Sequence, residues 1–168
     1  MKRSGGRGDT VLVTINDGEY RYQSYIPTYD KKIDTSDPEY KRALRGNNIK
    51  VKFTANGEAV VTKGGLFSKG RTFKTIDAFQ QEANRRLDAQ AERGKSEFSR
   101  IQSGRMTQIE AENLKSYATE HVIGDTKGHY EKQAVSAMKA ARIQQEAALD
   151  MKRRLATVVD SAKKKVKQ

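Results

Sequence analysis

The sequence predicts an α+β protein whose β-hairpin-rich front region, residues 1–74, is followed by an all-helical rear region, residues 75–168. Two observations lead to this class. Short alternating or β-branched runs separated by turn residues fill the front region, whereas apolar residues recur every three or four positions in the rear region. The two regions are either separate or one integrated domain, since 168 residues suit a single small domain with a helical extension.

The front region begins with a predicted hairpin and a short helix. Residues 10–15 are rich in β-branched side chains, the turn residues 16–18 follow, and residues 19–26 alternate well enough to be the partner strand. Asp37 and Pro38 then have the residue types of an N-cap and a first helical position. This helix is expected to end at Gly46.

A second hairpin is predicted around Asn56-Gly57, the dipeptide most typical of two-residue turns. Residues 49–55 and 58–63 form its strands, and residues 71–73 add a third short strand. With a two-residue turn, Lys50 lies opposite Lys63, and directly paired residues share a face. One face then presents Ile49, Val51, Phe53 and Val60, and the other presents Lys50, Lys52 and Lys63.

The rear region is predicted to contain several helices. Thr75 caps the first, which has an apolar stripe and ends at Arg93-Gly94, and a brief helical piece follows around Phe98 and Ile101. Thr107 and Glu110 have the spacing of a capping box for a helix running to about Val122. The last helix spans roughly residues 129–165. Its seam is expected to pack within the chain or on a second copy, and consists of Ala134, Met138, Ala141, Ala148, Leu155, Val159, Ala162 and Val166.

The net charge of +12 is concentrated in two islands. Residues 41–74 carry nine basic groups against Glu58, and residues 152–168 carry seven against Asp160, whereas the rest of the chain is close to neutral. Segregated positive charge attracts polyanions, although such runs also occur as solvated surface. The candidate phosphate contacts are Lys50, Lys52, Lys63, Lys69, Arg71, Lys74, Lys152, Arg153, Arg154, Lys163, Lys164, Lys165 and Lys167.

The basic bias of the last helix has a partial local explanation. Cations near a helix C-terminus interact favourably with the macrodipole, by about 0.3–1 kcal/mol each. This effect is too small to require seven of them. A polyanion contact, or a basic tail in solvent, accounts better for the excess.

The run from Ile49 to about Leu87 resembles the arm-type DNA-binding domain of tyrosine integrases. The matching pieces are Asn56-Gly57, the segment Thr72-Phe73-Lys74-Thr75 and the amphipathic stretch from Phe79 to Leu87. The resemblance implies a three-stranded sheet that lies in the major groove, with DNA contacted by strand residues opposite the helix. By position these are Lys50, Lys52, Lys63 and Arg71. The match covers about a quarter of the chain, and residues 64–70 depart from the family's pattern as an insertion would.

Several kinds of chemistry are excluded or weakly indicated. The chain has no cysteine, which excludes disulfides and thiol chemistry and favours a reducing compartment. No apolar run is long enough for a membrane span, so the protein is expected in the cytoplasm or in a virion. His121 and His129 are the only imidazoles, and their spacing matches no standard zinc motif. We expect no metal and no cofactor.

The sequence therefore favours a non-enzymatic protein that binds DNA, RNA or another polyanion. A structural or assembly protein, such as a phage virion component, is the first alternative, and its last helix would contact neighbouring subunits. A small ribonuclease-like toxin built around His121 and His129 is the second alternative.

Overall fold

The structure, a computed structural model, describes residues 10–17, 20–27, 32–104 and 129–167 and confirms the predicted α+β class. Strands dominate the front of the chain, and every element described after residue 75 is a helix. In chain order the elements are β1 Thr10–Asp17, β2 Tyr20–Pro27, α1 Pro38–Gly46, β3 Lys50–Phe53, β4 Ala59–Thr62, β5 Arg71–Phe73, α2 Ile76–Gln102 and α3 His129–Lys167. The helix predicted from Thr107 to Val122 lies outside the described residues.

The chain forms two compact units. The first unit comprises Met1–Lys32 and Lys95–Arg142, and the second comprises Ile33–Gly94 and Ile143–Gln168. Both long helices therefore contribute residues to each unit. The second unit contains both basic islands and carries nineteen basic against eleven acidic residues, a net charge of +8.

The described part of the first unit contains a β-hairpin and two helical segments. Strands β1 and β2 pair antiparallel from Thr10 opposite Pro27 to Asp17 opposite Tyr20. The predicted hairpin is confirmed, but Asn16 and Asp17 belong to β1 rather than to the predicted turn. In the helical segments, Arg142 stacks its guanidinium 4.4 Å from the centre of the Phe98 ring. Such cation–π contacts let an arginine cover an aromatic side chain.

The predicted register of the second hairpin is wrong by one residue. The NH of Thr54 donates to the carbonyl of Glu58 at 2.9 Å, so the loop has three residues, 55–57, rather than two. Gly57 occupies its last position with φ +83°, the left-handed conformation that ends such loops. Val51 consequently pairs with Val61, and Lys50 pairs with Thr62 instead of Lys63.

The core of the second unit lies between the three-stranded sheet and segments of α2 and α3. Ala59, Val61 and Phe73 point inward from β4 and β5, and Phe79 of α2 is fully buried beneath them. Helix α3 contributes Ala148, Leu155, Val159 and Ala162. The seam of the last helix therefore packs within the chain over these positions, which is one of the two predicted arrangements.

Helix α2 continues through the position where the sequence predicts an end. Thr75 caps it, since the Ala78 NH donates to Thr75 Oγ1 at 3.0 Å, but Arg93-Gly94 does not terminate it. The predicted short helix around Phe98 is the continuation of α2 to Gln102. A glycine inside a helix costs only about 1 kcal/mol relative to alanine, so burial of Ala91, Phe98 and Ile101 on either side outweighs it.

Helix α1 begins as predicted and packs on α3. Asp37 accepts a hydrogen bond from the Glu39 NH at 2.8 Å, and Pro38 follows at the first helical position. Tyr40 is buried beside Ile143 and Ala147 of α3. In the parts of the chain that the structure describes, no helix is both long and apolar enough to cross a membrane.

Gly65 brings the loop after β4 against the junction of α1 and β3. Its φ is +62°, and an added Cβ would lie 1.9 Å from the carbonyl oxygen of Asn48. The same oxygen accepts a hydrogen bond from the Leu66 NH at 2.9 Å. The loop can therefore deliver Leu66 and Phe67 to the core only if position 65 lacks a side chain.

We expect Gly65→Ala to destabilise the protein by about 2 kcal/mol or more, because both the positive φ and the approach to Asn48 become strained. Gly46→Ala is the matched control, since no atom lies within 4 Å of its added Cβ. Urea unfolding of both variants measures the difference. Equal stability of the two variants would contradict the role assigned to Gly65.

Candidate nucleic-acid interface

The outer face of the three-stranded sheet, the face away from the core, presents two exposed lysines. Lys52 pairs with Val60, and Val60 pairs with Thr72, so these three side chains form one row across the sheet. Lys50 and Thr62 form the next row. Since directly paired residues share a face and Ala59, Val61 and Phe73 point inward, both lysines point outward, as predicted.

Val60 and Arg71 lie on the opposite faces from those expected. The one-residue shift of register exchanges the faces of β4, so Val61 enters the core and Val60 joins the lysines. Arg71 pairs with Val61, and its guanidinium lies 4.3 Å from the centre of the Phe73 ring. The structure therefore places Arg71 on the helix side of the sheet rather than with Lys50 and Lys52.

The other basic residues of the first island lie outside the strands. Lys63 follows β4, Lys69 lies in the loop before β5, and Lys74 follows β5, and all three are exposed. The predicted pairing of Lys50 with Lys63 is wrong, because Lys50 faces Thr62. Helix α1 adds three exposed cations of the first island that were not among the predicted phosphate contacts. They are Lys41, Arg42 and Arg45.

The loop that carries Lys63 and Lys69 is held in place by Arg86 of α2. Arg86 donates to the carbonyl of Leu66 at 3.3 Å and stacks 4.4 Å from the centre of the Phe67 ring. Its Nε also lies 2.7 Å from Glu82 Oε2. Hydrogen bonds from Arg85 and then from Arg86 lower the pKa of Glu82 from its ordinary value of 4.5 to about 2.

Four cations of the second island have carboxylate partners. Lys152 Nζ lies 2.8 Å from Asp88 Oδ1, and Lys163 Nζ lies 2.5 Å from Asp77 Oδ1. Because residue numbers rise along α3 as they fall along α2, these pairs join antiparallel segments. Arg153 and Arg154 lie 3.8 and 3.6 Å from oxygens of Asp150. These four side chains are therefore partly neutralised.

Asp150 also ties α3 to α1. The hydroxyl of Tyr40 donates to Asp150 Oδ2 at 2.8 Å. Burial and, next, this hydrogen bond raise the pKa of Tyr40 to about 12. Asp150 thus contacts Tyr40 as well as Arg153 and Arg154, which lie one helical turn further along α3.

The end of α3 carries the remaining lysines of the second island. Lys164 and Lys165 have no carboxylate within ion-pair distance among the residues that the structure describes. Lys165 lines the same groove as Phe53, Thr54 and Ala55 at the tip of the β3–β4 hairpin. The side chain of Lys167, the last residue of α3, lies outside the described ones.

The candidate catalytic histidines do not form a site that the structure describes. His121 lies outside the described residues, and His129 is the first residue of α3, without a described side chain. Across the described ranges, no cluster of three or more His, Cys, Asp or Glu residues could hold a metal ion. The described site therefore offers ion pairs from lysine and arginine side chains and hydrogen bonds from threonine hydroxyls.

We expect Glu82→Gln to lower the free energy of unfolding in a pH-dependent way. The depressed pKa of Glu82 stabilises the fold above pH of about 4.5, and this contribution disappears as the pH falls towards about 2. Urea unfolding between pH 2 and 7 should show the two proteins converging in acid. Glu92→Gln, which removes an exposed carboxylate from the same helix, is the control, and a difference independent of pH would contradict the prediction.

Comparisons of this chain with protein-family models, with curated proteins and with solved structures found no match. Its function is therefore inferred from the geometry and charge of the described residues.

Proposed function

We propose that this protein is a non-enzymatic nucleic-acid-binding protein that contacts phosphates through the outer face of its three-stranded sheet. The observation that carries this proposal is the pair of exposed lysines, Lys50 and Lys52, on a single sheet face. Within the described ranges, no carboxylate lies at ion-pair distance from either of them. Their charge is therefore available to an external anion.

The rest of the second unit supports this use of the two lysines. Its net charge of +8 gives a positive field over a small surface, which raises the local concentration of a polyanion and speeds association. Thr62 and Thr72 are exposed on the same face. Their hydroxyls are suitable donors to phosphate oxygens, which receive about half or more of protein–DNA hydrogen bonds.

Duplex DNA is the form that the sheet fits best. Three strands at about 4.8 Å spacing place their outer backbones roughly 10 Å apart, and the major groove of B-DNA is about 12 Å wide. The deep, narrow major groove of duplex RNA is closed to such an element. Major-groove docking is also the mode implied by the resemblance to the arm-type domain, with Lys50 and Lys52 as its candidate contacts.

The basic end of α3 is proposed as a second phosphate contact. Lys164 extends the cationic surface, and the paired cations can exchange partners at small cost. Exposed ion pairs contribute only about 0–1 kcal/mol, so a phosphate competes readily for Lys152 or Lys163. Binding of this type needs no cofactor, and the absence of cysteine from the sequence suits the cytoplasm or a virion.

We expect Lys50→Gln with Lys52→Gln to weaken binding to duplex DNA and to reduce its salt dependence. Each phosphate contact contributes a slope of about −0.9 in the logarithmic plot of affinity against salt, so the slope should fall by about 2. Fluorescence anisotropy titrations at several ionic strengths measure this. Titrations of single strands and duplex RNA test the preference for duplex DNA.

The matched control is Lys95→Gln with Lys132→Gln, which removes the same net charge from exposed positions of the first unit. This control should keep nearly the original slope. An equal loss of DNA affinity in both double variants would show that binding depends only on net charge and not on the outer sheet face. Folded protein that binds none of the three nucleic acids at low salt would overturn the proposal.

A further inference from the structure

A groove in the second unit lies between the tip of the β3–β4 hairpin and the last turns of α3. Its volume is about 760 Å³. The hairpin side is formed by Phe53, Thr54 and Ala55. The helix side presents an apolar strip, Val158, Ala162 and Val166, flanked by polar side chains. The groove is separate from the outer sheet face that carries Lys50 and Lys52.

The groove contains an exposed apolar surface that the fold leaves uncovered. Among the described residues, the large hydrophobic side chains that are exposed are Val158, at 46%, and Val166, at 39%, and both line this groove. Isolated surface hydrophobics are ordinary, but exposed apolar groups gathered in one concave site are typical of a binding surface.

The groove lies against the packed core of the second unit. Phe53 packs edge-to-face on the fully buried Phe79, with ring centroids 5.9 Å apart. Ala162 is buried in the same core and fixes the position of α3. A partner therefore meets a preformed surface, which reduces the entropy lost on binding.

The charge of the groove selects the kind of partner. Its lining includes Lys165 and the hydroxyls of Thr54, Thr157 and Ser161, and it includes no carboxylate. Arg154 lies on the same stripe of α3 as Val158, which is four residues further along, and Lys165, which is seven residues beyond Val158. The segment 152–168 that forms this side has a net charge of +6.

We propose that this groove binds an acidic peptide segment of a partner protein, with an apolar side chain seated between Val158 and Val166. A carboxylate beside that side chain would pair with Lys165, and the hydroxyls of the lining would bond the peptide backbone. A second copy of this chain is a poor occupant, because its net charge of +12 repels the basic rim. Nucleic acid offers no aliphatic side chain to the two valines.

Selection from a displayed library of random twelve-residue peptides, with the full chain as bait, tests this proposal. We expect the enriched peptides to combine a large apolar residue with neighbouring Asp or Glu. Val158→Asn should lower the affinity for a selected, fluorescently labelled peptide roughly tenfold, the order expected for one lost apolar contact. Lys165→Gln should also lower this affinity, because a positive charge is lost, and should reduce the salt dependence of binding.

The matched controls are Val60→Asn, which changes a half-buried valine on the outer sheet face, and Lys95→Gln, and both should retain peptide affinity. The Lys50→Gln, Lys52→Gln protein should also retain it, so failure of this proposal is distinguishable from failure of DNA binding. The proposal is overturned if the selected peptides lack carboxylates, if peptide binding is indifferent to both groove variants, or if the protein forms a dimer that Val158→Asn dissociates. Loss of DNA binding in Val158→Asn would also overturn it, because the groove would then be assigned to nucleic acid.

Discussion

Phe79 forms the contact on which the second unit depends. It is fully buried, and its ring contacts Phe53, Phe67 and Phe73 at centroid distances between 5.7 and 6.2 Å. These three rings come from β3, from the loop after β4 and from β5, whereas Phe79 belongs to α2. Aromatic pairs of this geometry contribute about 0.5–1.5 kcal/mol beyond their buried area. One helix residue therefore fixes the sheet, its loop and hence the outward direction of Lys50 and Lys52.

The same packing decides which cations are available. Lys152 and Lys163 lie where α3 runs antiparallel to α2, and they pair with Asp88 and Asp77 of that helix. Lys50 and Lys52 lie on the sheet face opposite α2 and α3, so no carboxylate of the described core reaches them. Equal formal charges thus have unequal roles, because packing gives some of them internal partners and leaves others to solvent.

Two surfaces of different chemistry result from one core. The outer sheet face combines lysines with threonine hydroxyls and suits a phosphate backbone. The groove beside the hairpin tip combines Val158 and Val166 with Lys165 and suits an acidic peptide. A protein that joined a nucleic acid to an acidic partner would be consistent with both proposals, and each surface remains testable by itself.

Local signals in the sequence were sufficient for most elements. The Asp37-Pro38 start of α1, the Thr75 cap of α2 and the alternation of β3 are short-range effects, and the structure confirms them. The outward direction of Lys50 and Lys52 was also predictable, because they alternate along β3 with the apolar residues that face the core. The concentration of charge in two islands is likewise a property of the sequence alone.

Tertiary structure decided the rest. Asn56-Gly57 is compatible with loops of two and of three residues, and the choice follows from burying Ala59 and Val61 rather than Val60 against Phe79. Gly94 permits either an end or a continuation of α2, and the burial of residues on both sides favours continuation. The carboxylate partners of Lys152 and Lys163 lie far along the chain, so no local pattern specifies them. The sequence determined the elements and the charge, and long-range packing determined the faces on which that charge is exposed.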